Sequence, residues 1–152
     1  MKEAVIVSGG NIQKDFALCF LEKIIRRTGR EQVCLIAADR GLDFLEEVNI
    51  LPDVAVGDFD SISSHGQRFL DLLKNEACEI CRLKPEKDDS DTQSAMMLAI
   101  ERGMKKIWIL GATGTRLDHV LANLGLLSLG EVYGASVVIV DACNYITMLQ
   151  SG

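Results

Sequence analysis

Val54-Ala55-Val56-Gly57-Asp58-Phe59-Asp60-Ser61-Ile62 is a short apolar run, then a glycine, then two aspartates one residue apart. A run of this length bounded by a turn residue is the pattern of a buried strand. In an open α/β sheet, ligands bind outside the carboxyl ends of the parallel strands. A strand that ends in two carboxylates is therefore aimed at a cation, or at something a cation carries. Two further stretches invite the same question: Lys87-Asp88-Asp89-Ser90-Asp91 and the glycine-rich turn Gly111-Ala112-Thr113-Gly114-Thr115-Arg116.

Outward from this stretch, strand-length apolar runs alternate with helical periodicity. Residues 4–7 predict a first strand, followed by the loop Ser8-Gly9-Gly10-Asn11 and a helix near 14–27, which Thr28-Gly29 closes. Residues 33–38 predict a second strand, 42–48 a short helix broken by Leu51-Pro52, and 54–56 the third strand. Ser63 and Ser64 are candidate caps for a helix over 66–74, and 78–83 predict a fourth strand. A strong helix over 92–102 opens on the capping box Ser90-Asp91-Thr92-Gln93 and ends at Gly103. Residues 107–110 predict a fifth strand, 117–129 a helix with Gly130 near its end, and 137–140 a sixth strand. Residues 144–149 alternate loosely, as a seventh, antiparallel strand or as a segment leaving the sheet. Six strands separated by helices imply right-handed βαβ units. The expected fold is a three-layer α/β/α, Rossmann-like domain with a mainly parallel six-stranded sheet.

A length of 152 residues fits one ordinary domain, and 48% hydrophobic with 25% charged residues is the balance of a globular protein. The formal net charge of −6, with no run of Lys or Arg, argues against a nucleic-acid surface. No apolar run approaches the ~18 residues needed to span a membrane. The N-terminal apolar run is too short for a signal peptide, so a cytoplasmic protein is expected. Five scattered cysteines should then be reduced thiols. Cys78 and Cys81 have the CxxC spacing, but residues three apart on a strand face opposite ways, so a shared metal is not expected. The chain stops abruptly at Gln150-Ser151-Gly152, after a strand-like segment, and more protein is expected beyond it.

The three loops carry the chemistry. Mg²⁺ keeps several waters and takes one or two carboxylates plus phosphate oxygens, which suits Asp58 and Asp60 at a strand end. The competing explanation is turn chemistry, in which Asp is common. Asp88, Asp89 and Asp91 crowd three carboxylates into four positions; an acidic helix start is favourable in itself, yet Asp88 and Asp91 are spaced to flank one ion and Lys87 to reach a phosphate. A glycine-rich turn that opens a helix presents backbone N–H groups to phosphate, and Arg116 adds a bidentate donor. The spacing is neither that of a P-loop nor GxGxxG. Asp118 reads as a helix cap or a site carboxylate, and His119 as a packed histidine or a ligand; His65 is assigned no role. All three loops follow a strand and precede a helix, so they should share one edge of the sheet. Acidic groups for Mg²⁺ with glycines and basic groups for phosphate suggest a nucleotide-dependent phosphoryl or pyrophosphoryl transferase.

In this order and spacing, Gly57-Asp58-Phe59-Asp60-Ser61, Lys87-Asp88-Asp89-Ser90-Asp91-Thr92 and Gly111 through His119 resemble the catalytic domain of the thiamine pyrophosphokinase family. The resemblance covers the whole chain. It includes Ala38-Asp39-Arg40-Gly41, which is similar to the family's Ala-Asp-Gly-Gly with Arg40 in place of one glycine. It implies that ATP donates its β,γ-pyrophosphoryl group to the hydroxyl of thiamine, giving thiamine diphosphate and AMP. It implies Mg²⁺ held by Asp58, Asp60, Asp88 and Asp91, with Asp58, Asp60 and Asp91 as the catalytic carboxylates. The chemistry itself asks for a carboxylate to take the proton of the alcohol, with Asp91 or Asp60 as the candidates. Lys87, Ser90 and Thr92 would lie on the nucleotide. So would Gly111, Thr113, Gly114 and Arg116, with Asp118 and His119 nearby and Asp39 and Gly41 as a further candidate nucleotide loop. It also implies a homodimer, and a small β-rich C-terminal domain that helps form the thiamine site. Residues 1–152 correspond to the catalytic domain alone, so metal and nucleotide binding are expected to survive better than turnover. Two rivals make different predictions: a haloacid-dehalogenase-type phosphatase would form a phospho-aspartate on Asp58, and a non-catalytic nucleotide-binding domain would bind ATP without turnover.

Overall fold

A computed structural model describes residues 3–59, 63–74, 76, 78–83, 90–114 and 116–149; Asp60, Lys87 and Asp88 lie outside them. The strands are β1 (Glu3–Val7), β2 (Val33–Ala38), β3 (Val54–Gly57), β4 (Glu79–Arg82), β5 (Lys106–Leu110), β6 (Ser136–Val140) and β7 (Tyr145–Ile146). They form one sheet in the order β4-β3-β2-β1-β5-β6-β7. Every neighbouring pair is parallel except β6–β7, which is antiparallel in the register Val140↔Tyr145 and Ile139↔Ile146. Among the described residues the sheet thus has seven strands where six were expected. The loosely alternating tail pairs back on β6 because Asp141 and Asn144 close a tight turn, with Asn144 N–H donating to the Asp141 carbonyl and Asp141 N–H to that of Asn144.

The central strands read as continuous apolar runs because both faces are covered. All six residues of β2 are buried. Side chains alternate between two cores. Val5, Val7, Leu35 and Ala37 face one; Ala4, Ile6, Cys34 and Ile36 face the other. The first core is closed by α1 (Lys14–Thr28), α2 (Gly41–Glu47) and α3 (Ser64–Leu73), through Leu21, Leu42, Leu45 and Leu70. The second is closed by α4 (Asp91–Glu101) and α5 (Leu117–Val132), through Ala95, Met96, Ala99, Leu126 and Leu127.

The punctuation of the sequence explains most boundaries. Ser63 caps α3 by accepting from the Gly66 N–H, and Ser90 caps α4 by accepting from that of Gln93. Gly29 and Gly103, at φ 96° and 85°, terminate α1 and α4. Gly130 is a correction: α5 runs past it to Val132. A Cβ there would lie 2.4 Å from Val137 Cγ2, so the glycine serves close packing on β6. The stop falls at Tyr133-Gly134, with Gly134 at φ 75°. Cys78 packs against the first core and Cys81 against the second, as their spacing on a strand requires. Burial lifts the Cys78 thiol to about 11 and raises that of Cys81, so both stay protonated at neutral pH.

Candidate functional site

The strand order reverses between β1 and β5, and the loops at the carboxyl ends of the strands meet there and beside it. On one side, three carboxylates converge. Asp39 follows β2, Asp58 follows β3, and Asp91 opens α4; each offers an oxygen within 4.8 Å of the other two, and all are half-buried. The backbone is shaped to bring them together. Asp39 N–H donates to the Val56 carbonyl at 2.8 Å, which holds the turn after β2 against the end of β3. Asp39 and Phe59 sit in the left-handed region at φ 47° and 65°. Asp tolerates that region; a bulky Phe does so at a cost. The Phe59 ring is buried and lies 5.5 Å under the Arg82 guanidinium, which holds the chain just past Asp58. Asp43 of α2 accepts from both the backbone N–H and the hydroxyl of Ser63 (3.3 and 2.7 Å), tying down the far end of the same loop.

On the other side, the loop after β1 is zipped to the loop after β5. Gly10 N–H donates to the Gly111 carbonyl at 2.6 Å, Asn11 N–H to that of Thr113 at 2.9 Å, and Ser8 N–H to that of Leu110 at 2.8 Å. Only glycine fits this turn: Gly111 has φ +73° and a Cβ there would lie 2.3 Å from the Ser8 carbonyl oxygen. Asn123 of α5 donates to the Ala112 carbonyl at 2.9 Å and fixes the turn from behind. A cleft of about 540 Å³ opens beside it. Ile12, Phe16, Leu117 and Val140 supply apolar walls, with Asn11, Thr113, Asp141 and Asn144 as the polar groups. Partial burial acts to raise the Asp141 carboxyl, but hydrogen bonds from the Thr113 hydroxyl (2.7 Å), the Asn144 amide and the Cys143 and Asn144 N–H groups outweigh it and hold it below the ordinary carboxylate range.

Among the candidates read from the sequence, Asp58 and Asp91 are brought together, and Asp39, expected only as part of a nucleotide loop, completes the group with them. Gly111, Thr113 and Gly114 line the cleft. Gly41 has a packing reason: it is buried in the first turn of α2, where a Cβ would lie 1.8 Å from the Val7 carbonyl oxygen. The Ser90 hydroxyl caps its helix, and the Thr92 hydroxyl is bonded to that of Ser8. Arg116 pairs with Asp118 at 2.8 Å, both well exposed, and the guanidinium's hydrogen bond lowers the Asp118 carboxyl below its usual range. His119 is exposed on α5. The roles expected of Asp60, Lys87 and Asp88 fall outside the described residues. Ser8, Asn11 and Asp141 are additions that sequence reasoning misses. Two consecutive glycines between Ser8 and Asn11, in the loop after the first strand, are the available signal for the first two.

A family profile described as thiamin pyrophosphokinase, catalytic domain, matches residues 26–138. The thiamine pyrophosphokinase of Bacillus subtilis (strain 168) is 34% identical over 122 residues, which is 80% of this chain and 56% of that protein. The crystal structure of thiamine pyrophosphokinase from Bacillus subtilis superposes with a TM-score of 0.79 at 30% identity, over 99% of this chain and 66% of that one. The thiamin pyrophosphokinase from Geobacillus thermodenitrificans does so with a TM-score of 0.67 at 30% identity, over 91% and 59%. The chain thus spans a little over half the length of the curated relative it matches. With the profile spanning most of the sequence and the fold shared along nearly all of it, the chain belongs to the thiamin pyrophosphokinase catalytic-domain family.

Proposed function

We propose that this chain is the ATP- and Mg²⁺-binding catalytic part of a thiamine pyrophosphokinase, which transfers the pyrophosphoryl group of ATP to the hydroxyl of thiamine and releases AMP. The observation that carries this reading is the convergence of Asp39, Asp58 and Asp91 at the carboxyl edge of a parallel sheet, beside a glycine turn, in a chain of this family. Three half-buried carboxylates are a hard, anionic oxygen set of the kind that suits Mg²⁺ and not a softer metal. Asp58 and Asp91 would hold the ion with Asp39, joined by Asp60 and Asp88. When bound, Mg²⁺ neutralises the phosphate charge that would otherwise repel an incoming oxygen.

The remaining work falls to the chain's own groups. An alkyl alcohol is a poor nucleophile, so positioning and charge stabilisation carry the rate. The turn around Gly111 offers backbone N–H groups to phosphate, and Arg116 a bidentate fork. Lys87, Ser90 and Thr92 are carried as nucleotide-side residues by the resemblance, with Asp118 and His119 at the rim. Asp91 or Asp60 accepts the hydroxyl proton. The apolar-walled cleft beside the turn suits the organic end of a substrate. Helices on both faces of the sheet support a three-layer, Rossmann-like description. The homodimer rests on the family resemblance; among the described residues no helix is long and apolar enough to cross a membrane.

Calorimetric titration of ATP with Mg²⁺ or with EDTA tests the reading. Binding should weaken at least tenfold without Mg²⁺, and Asp58→Asn should bind as weakly with Mg²⁺ as the parent does without it. Equal affinity in all three arms would refute the metal assignment.

A further inference from the structure

Among the described residues, Ser8 and Thr92 are the buried polar side chains, 8% and 5% exposed. Their hydroxyls meet in a hydrogen bond of 2.5 Å across 84 residues of sequence. Ser8 follows β1, and its own N–H is fixed to the Leu110 carbonyl at the end of β5. Thr92 is the second residue of α4, next to Asp91. The bond therefore joins the switch point of the sheet to the first turn of the helix that supplies a carboxylate to the acidic group. Asp39 and Asp58 are placed by strand ends that the sheet registers, whereas Asp91 is placed by a helix packed on the sheet through small and flexible residues, Ala95, Met96 and Ala99. A carboxylate oxygen sits ~5 Å from a helix axis, so a rotation of ~10° moves it roughly 1 Å. That is enough to spoil a three-carboxylate site.

We infer that Ser8 and Thr92 are positioning residues: their buried hydroxyl pair sets the rotation and height of α4, and so holds Asp91 in register with Asp39 and Asp58 for a divalent cation. This rests on the reading of the acidic group as a cation site. The pair need not be there for stability, because replacing both partners of a buried hydrogen bond by apolar groups of similar shape can be nearly neutral. What the pair adds is a directional constraint that an apolar contact lacks.

The test measures Mn²⁺ affinity by electron paramagnetic resonance and the urea midpoint by Trp108 fluorescence, on the parent, Thr92→Val, Thr92→Ser, Ser8→Ala and the double variant Ser8→Ala/Thr92→Val. Thr92→Val and the double variant should each bind Mn²⁺ at least tenfold more weakly. The double variant should nevertheless recover most of the midpoint that Thr92→Val loses. Thr92→Ser, which keeps the hydroxyl, should stay within about threefold of the parent. A folded double variant that binds Mn²⁺ like the parent overturns the inference, as does Thr92→Ser binding as weakly as Thr92→Val. If the double variant does not fold, Ser8→Ala decides from the other partner: a tenfold loss of Mn²⁺ affinity supports the inference, and parent-like affinity overturns it. A parent that binds no Mn²⁺ overturns the cation-site reading itself, and the positioning role with it.

Discussion

Neutralising one member of the acidic group should change the sign of its effect on stability with the metal content of the buffer. Asp58 offers an oxygen within 4.8 Å of one from Asp39 and one from Asp91. Two unit charges at that distance repel by about 0.9 kcal/mol in water, and by more as the effective dielectric falls. Salt at 0.1 M trims this, since the Debye length is about 10 Å. Asp58→Asn removes two such pairs and keeps the side chain's shape, so at 0.1 M salt, where screening leaves about 0.5 kcal/mol for each pair, the metal-free protein should become more stable by about 1 kcal/mol. With Mg²⁺ at about ten times its dissociation constant the parent gains about 1.4 kcal/mol, a gain the variant largely forgoes. The order of stabilities should then reverse. Urea unfolding followed through Trp108 reads this directly: it is the sole tryptophan, buried on β5 against Phe20 of α1 and Tyr145 of β7. A variant less stable than the parent by more than about 1 kcal/mol in EDTA would show the carboxylates to be a mutually supporting structural network, and the cation-site reasoning would fall.

Three further outcomes are expected. Gly111→Ala should lose more than about 2 kcal/mol of stability in the same unfolding assay, because it combines φ +73° with a Cβ 2.3 Å from the Ser8 carbonyl oxygen; a loss under about 0.5 kcal/mol would mean that the turn relaxes freely. Asp141 has a folded pKa held below its unfolded value, so its contribution is complete above the unfolded range near 3.9 and is lost as pH falls through the folded value. The stability advantage of the parent over Asp141→Asn should accordingly shrink below about pH 4 and stay constant between about pH 6 and 8; an advantage that changed across the neutral range instead would contradict the assignment. Under native conditions a thiol reagent should label the exposed Cys19 and Cys143 first. Buried Cys34 and the high-pKa Cys78 should react only on unfolding, and rapid labelling of Cys78 would contradict its packing.

Much of this was legible in the sequence because the relevant signals are local. Apolar runs such as residues 33–38 announce strands buried on both faces, and Ser63, Ser90, Gly29 and Gly103 mark helix ends by side-chain bonds and backbone freedom that need no tertiary context. The partners of Asp58 were partly readable, since strand-end position is itself a spatial coordinate in an α/β sheet. Asp39 occupies the same place after β2 that Asp58 does after β3, but its membership of the group depends on strand order, which the sequence does not state. Gly41 and Gly130 mislead for a related reason. A glycine demanded by close packing against Val7 or Val137 looks, in one dimension, like a glycine demanded by a loop or a helix end. The Ser8–Thr92 bond spans 84 residues and leaves no local trace.

Product analysis of ATP turnover, with and without thiamine, tests the central claim most directly. It is best run with Mg²⁺ on this chain and on any longer form that carries it. The expected result, on the longer form above all, is AMP and thiamine diphosphate in equal amounts, formed only when thiamine is present and abolished by Asp58→Asn or Asp91→Asn. Inorganic phosphate released without thiamine, or turnover within a few-fold of the parent in those variants, roughly under 1 kcal/mol of barrier, would contradict it.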